Sequence, residues 1–144
     1  MKNILFVLIM FLFFGCKKEQ KVDNVTAYNW VLTTAVVSPA MTINGKSETD
    51  YLAIAGEPCY KYNYTISFFE NGVYAISANG PLCDMVPNSN IQKWSKSGNV
   101  ITLNNGYGAS TQLIPAGNNL IQTFNTTNLG VNYKIVFVYK PKSK

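Results

Sequence analysis

Residues 60–78 read Tyr60-Lys61-Tyr62-Asn63-Tyr64-Thr65-Ile66-Ser67-Phe68-Phe69-Glu70-Asn71-Gly72-Val73-Tyr74-Ala75-Ile76-Ser77-Ala78. Tyr60, Tyr62, Tyr64, Ile66 and Phe68 recur at every second position, with Lys61, Asn63, Thr65 and Ser67 between them. Side chains of an extended strand point alternately to opposite faces, so this pattern gives one face to a core and the other to water. Asn71-Gly72 is a pair that turns a strand back on itself, and residues 73–78 supply the returning strand. The stretch predicts a half-buried antiparallel hairpin.

The same grammar runs along the chain. Residues 28–37 predict a long first strand, and Asn44-Gly45 marks a hairpin within 39–50. Further strands are predicted over 91–95, 100–103, 110–114, 120–124 and 131–139, with turns at 96–99, 104–106, 117–119 and 128–130. In the last strand Val131, Tyr133, Ile135, Phe137 and Tyr139 share one face. Residues 47–55, with Leu52, Ile54 and Ala55, are the single candidate for a short helix. Turns recur about every ten residues, as in an antiparallel meander folded into a sandwich or a barrel. Nine Tyr, eight Phe and two Trp in 144 residues supply the core of one all-β domain, not two.

The chain opens differently. Met1-Lys2-Asn3 precedes an uncharged apolar run over residues 4–14, and Gly15-Cys16 follows. A basic start, an apolar stretch and a small residue describe a secretory signal, and the run is shorter than the roughly 20 residues of a membrane-spanning helix. Phe13-Phe14-Gly15-Cys16 resembles a bacterial lipobox at its Gly and Cys. The resemblance implies cleavage after Gly15, lipid on Cys16, and an outer-membrane location in the cell envelope, on either leaflet. Residues 1–15 are then a signal peptide, 16–24 a lipidated tether and 25–144 the folded domain.

With Cys16 acylated, Cys59 and Cys83 form an even pair in an oxidising compartment, which points to a disulfide. The hairpin across Asn71-Gly72 brings their flanking segments together. Closing that loop of about 25 residues stabilises by roughly 3 kcal/mol on the chain-entropy model.

Absent residues exclude chemistry. All twelve basic residues are lysines, and there is no histidine. Imidazole-based nucleophile systems and His-containing zinc sites are therefore excluded, as is bidentate arginine clamping of carboxylate or phosphate. Lys17, Lys18 and Lys21 flank the proposed anchor, and Lys140, Lys142 and Lys144 end the sequence, so the +5 net charge is concentrated at the two ends. That suits an anionic membrane surface better than nucleic acid, whose recognition leans on Arg. No cofactor, no metal and no catalysis are expected. Asp50, Glu57 and Asp84 are the acidic groups that could gather near the disulfide, and solvated loop positions are their ordinary role.

Trp30-Val31-Leu32, Cys59, residues 64–74, Cys83, Trp94 and residues 97–103 together resemble the lipocalin-like domain of Bacteroidetes lipoproteins, over roughly residues 25–140. The resemblance implies a single antiparallel up-and-down barrel of about eight strands. Lipocalins proper carry Gly-x-Trp on the first strand and a basic residue packed over that Trp. Here the tripeptide is Tyr28-Asn29-Trp30, and no Arg is present.

Such a barrel can hold one small apolar ligand. Tyr62, Tyr64, Trp94, Phe124 and Tyr133 are the candidate ligand-binding residues, with Tyr60 and Tyr139 beside them; the same rings could instead fill a core. A binding site requires a solvent-open cavity above roughly 300 Å³. The alternative is an envelope interaction, structural or inhibitor protein that presents the loops over 39–50 and 79–90 to a protein or glycan partner.

Overall fold

The computed structural model describes residues 24–54, 60, 63–80 and 92–144. Cys16, Cys59, Cys83 and Tyr62 lie outside the described residues, as do the leader, nearly all of the tether, Glu57 and Asp84. A 3-10 turn at Val25–Ala27 leads into β1 (Tyr28–Ile43), β2 (Lys46–Asp50) and the one-turn helix α1 (Tyr51–Ile54). Then come β3 (Thr65–Phe68), β4 (Tyr74–Ser77), β5 (Lys93–Ser97), β6 (Val100–Asn104), β7 (Ser110–Ala116), β8 (Asn119–Asn128) and β9 (Val131–Ser143).

The hydrogen-bonded order is β4-β3-β1-β9-β8-β7-β6-β5, antiparallel throughout, with β2 paired to β1 beyond this path. The two ends of the path meet through a bridge between Val73 and Lys93. Trp94 N donates to Gly72 O at 2.8 Å beside it. Eight strands therefore make a nearly closed up-and-down barrel, the fold expected from the sequence. Closure removes the unpaired edges that an open sheet would expose.

The first strand reaches the core by a change of phase. Trp30 and Leu32 are buried, and so are Ala35 and Val37, although the two pairs differ in parity. Between them the register against β9 slips: Leu32 faces Tyr139 and Thr34 faces Val138, so β1 carries one extra residue. Thr33 uses its hydroxyl on Val138 O at 3.1 Å. This β-bulge returns the strand's apolar side chains to the inside and adds twist for closure.

Three local expectations are corrected. Within the alternation over 60–68 the described strand is Thr65–Phe68, and before it Asn63 takes a left-handed φ of 55° that interrupts extended pairing. The first strand runs on to Ile43 rather than stopping at 37. Within the candidate 47–55 the described helix is Tyr51–Ile54, and residues 46–50 are instead folded back onto β1 by Asn44 and Gly45 at φ 50° and 77°. Asp50 then caps that helical turn, its Oδ1 accepting from Leu52 N at 2.9 Å.

The pairing registers place the turns at 44–45, 105–109 and 129–130 at one end of the barrel. The start of β1, the end of β9 and the turns at 69–73, 98–99 and 117–118 lie at the other. The second end is plugged. Trp30 is fully buried and donates Nε1 to Val25 O at 2.9 Å, which fastens the 3-10 turn across the opening. Phe68 packs edge-on against Trp94, whose Nε1 reaches Phe69 O at 2.9 Å. Lys144 Nζ caps Phe68 O at 3.0 Å and sits 5.3 Å from the Phe69 ring centroid. The cation at this end is thus a lysine placed on Phe69, not a guanidinium over Trp30.

Candidate functional site

The opposite end of the barrel contains a cavity of ≈ 570 Å³. Inward-facing side chains of five strands build its wall: Ile66 on β3, with Tyr64 just before it, Tyr74 and Ile76 on β4, Leu103 on β6, Gln122 and Phe124 on β8, and Phe137 and Tyr139 on β9. Thr111 adds a hydroxyl from β7 and Gln92 an amide from the residue before β5. Tyr51 from α1, Tyr60, and Asn105, Tyr107 and Ala109 from the β6–β7 loop complete it. Tyr107 and Phe124 are largely exposed and mark its mouth.

Position along each strand decides why the space is empty here. Towards the plugged end the inward residues are Trp30, Phe68, Ile101, Leu113 and Leu120, all buried and in one continuous cluster. Towards the mouth, Thr111, Gln122 and Asn105 replace aliphatic bulk. The taper leaves a volume that about 19 waters could occupy at roughly 30 Å³ each. It exceeds the ~300 Å³ that a small-molecule site needs.

One side of the cavity is a chain of touching rings. Centroid separations are 5.9 Å for Tyr51–Phe137, 5.8 Å for Tyr60–Phe137, 5.5 Å for Tyr60–Tyr64 and 6.3 Å for Tyr64–Tyr139. All are edge-on or tilted, the arrangement that ring quadrupoles favour. Burial raises the pKa of Tyr64, and the neighbouring Tyr60 and Tyr74 hydroxyls add to it. Tyr139 is pushed well up by burial, then by Tyr64 and Tyr60. Tyr74 is raised by burial, which the adjacent Gln92 amide partly opposes. These phenols are neutral hydrogen-bonding groups over the physiological range.

The polar groups are unevenly used. Tyr139 donates its hydroxyl to Gln122 Oε1 at 2.8 Å. Asn105 Oδ1 accepts from Tyr107 N at 2.9 Å and so shapes the loop at the mouth. Gln92 is 2% exposed, and its Nε2 has no hydrogen-bond partner among the described residues. No lysine, aspartate or glutamate among the described residues lines the cavity. Among the described residues no group of three or more Cys, Asp or Glu could hold a metal ion.

Of the sequence candidates, the structure brings Tyr64 and Phe124 together in the cavity, with Tyr60 and Tyr139. It separates Trp94, which helps to seal the plugged end. Tyr133 faces a second, more open hollow of ≈ 470 Å³ beside Ser38, Asn125 and Asn132. Sequence reasoning missed Tyr51, Tyr74, Gln92 and Gln122. Tyr74 was findable, since it pairs with inward-facing Phe68 across the hairpin and so shares its face. Gln92 carried no signal, being one amide in a chain rich in them.

No protein-family model matches the chain, and no curated protein or solved structure matches it.

Proposed function

We propose that this protein is an envelope lipoprotein of the lipocalin-like kind, held on the outer membrane through lipid on Cys16, whose barrel binds one small uncharged molecule. The reading contains no catalysis and no nucleic-acid partner. The observation that carries it is the ≈ 570 Å³ cavity at the mouth end, walled by tyrosines and containing an unspent buried amide. Burial of a ligand there would gain from ring contacts, and an ion would find no counter-charge among the described residues. The expected ligand is accordingly more polar than the apolar molecule anticipated from composition, because hydroxyl and amide groups share the wall with the rings.

N-phenyl-1-naphthylamine, an uncharged fluorophore that brightens in apolar surroundings, tests this directly. The full-length protein should bind it with one site, and Tyr64→Ala, which reshapes the aromatic wall, should shift its affinity. Absence of saturable binding would remove the small-molecule reading.

A second reading has one observation of its own. At the mouth end the β8–β9 tip places Leu129 96% exposed, with Tyr107 in the β6–β7 loop largely exposed and Ile43 at the β1–β2 tip partly so. Apolar residues on three tips at one end suit contact with a protein partner in the envelope. Replacing Leu129 and Tyr107 together by Ser, followed by cross-linking in intact cells, separates the readings: only the partner reading loses its cross-links.

A further inference from the structure

We propose that the ligand of the cavity is a flat, uncharged molecule bearing a carbonyl-type oxygen, which accepts the hydrogen bond that Gln92 Nε2 leaves unmade. This rests on the small-molecule reading above and narrows it to one chemical class.

Gln92 is the one buried polar residue among the described residues, and its side chain lines the cavity wall. A buried amide nitrogen without an acceptor is a standing cost that native proteins seldom retain without a reason. The Tyr74 hydroxyl lies within weak reach of the Gln92 side chain, which lowers its pKa, but that contact falls short of a full hydrogen bond to Nε2. The terminal torsion of a glutamine is broad and soft, so a small rotation turns Nε2 towards the cavity.

The remaining wall has the same polarity. The side-chain oxygens of Asn105 and Gln122 are already engaged by Tyr107 N and the Tyr139 hydroxyl. Their nitrogens make no hydrogen bond among the described residues, whereas the Tyr74 hydroxyl is set against the Gln92 side chain. The amide nitrogens of Gln92, Asn105 and Gln122 are groups that can only donate, and they suit a ligand that carries acceptors. Anionic acceptors are disfavoured because no lysine among the described residues lines the wall to offset the loss of their hydration. The linked rings from Tyr51 to Tyr139 favour a planar body that can lie against them. A quinone or another conjugated ketone meets all three conditions.

Titration calorimetry of the full-length protein with three probes of one shape tests the assignment: menadione with two ring carbonyls, 2-methylnaphthalene with none, and 2-naphthoate with a negative charge. Menadione should bind at least ten-fold tighter than either of the others. Gln92→Leu keeps the side-chain volume and removes the unpaired amide, so it should fold at least as well and lower menadione affinity to that of 2-methylnaphthalene. If that variant fails to melt cooperatively, Gln92→Met serves the same comparison. Equal binding of menadione and 2-methylnaphthalene, tighter binding of 2-naphthoate, or no effect of Gln92→Leu overturns the carbonyl assignment while leaving a small-molecule site. Failure of all three probes to bind overturns the cavity reading itself.

Discussion

Trp30 hands its indole hydrogen to the carbonyl oxygen of Val25, 2.9 Å away, and by that bond the turn before the first strand becomes the floor of the barrel. Both residues are buried, so the bond forms where water cannot replace it. The open cavity at the far end depends on this closed one, because a barrel without a plug would pass solvent along its axis.

Trp30→Phe keeps a ring and deletes the donor, leaving the Val25 carbonyl unpaired. The expected cost is about 1–3 kcal/mol, and Trp30→Ala should cost roughly 3–5 kcal/mol by adding a cavity. Urea unfolding checks both, with a lowered midpoint and an unchanged slope in a two-state transition.

Stability should fall in alkali. Tyr64 and Tyr139 have raised pKa values when folded, against an ordinary value of 10.0. The folded state thus holds their protons more tightly than the unfolded state. The stability they contribute is complete below pH 10 and is lost as pH climbs towards their folded values. Each group contributes a slope of up to about 1.4 kcal/mol per pH unit in that window. Denaturant midpoints measured from pH 9 to pH 12 should drop, and Tyr64→Phe should flatten the drop.

Two hairpins share a turn geometry and differ in sequence. Asn44-Gly45 has φ values of 50° and 77°, and Leu129-Gly130 has 49° and 79°. Asn tolerates the left-handed region and Leu does not, while Leu129 packs against almost nothing. Leu129→Asn should stabilise the protein by about 1 kcal/mol, read as a rise in melting temperature. An unchanged or lowered melting temperature would mean that Leu129 has a contact within the fold.

Much of this fold was legible because turn pairs and alternation are local signals. The hairpin over 65–77 and the long final strand followed from Phe68, Tyr74, Ile135 and Phe137 lying at fixed parity. The bulge was harder: Trp30-Leu32 and Ala35-Val37 look inconsistent until Thr33-Thr34 is seen as one residue too many. Asn63 broke a perfect alternation because a backbone φ leaves no mark on hydropathy. The cavity was the least legible feature. Whether an inward ring fills space or borders it depends on which level of the barrel it occupies, and that follows from strand stagger. Trp94 and Tyr64 look alike in sequence and lie at opposite ends.

The anchor makes a separate prediction. Cys16→Ser should abolish incorporation of labelled palmitate and move the protein out of the membrane fraction, with folding of the barrel unaffected. Retention in the membrane fraction without label would show a different mode of attachment.

Native mass spectrometry of the full-length protein, purified from the cells that make it, tests the central claim most directly. A bound small molecule should appear at one per chain, with roughly 20 non-hydrogen atoms or fewer, given about 30 Å³ for each in a cavity of ≈ 570 Å³. It should be uncharged, carry a carbonyl group, and be lost from Gln92→Leu. A protein that emerges at its bare mass, with the cavity occupied by nothing but water, would contradict the small-molecule reading.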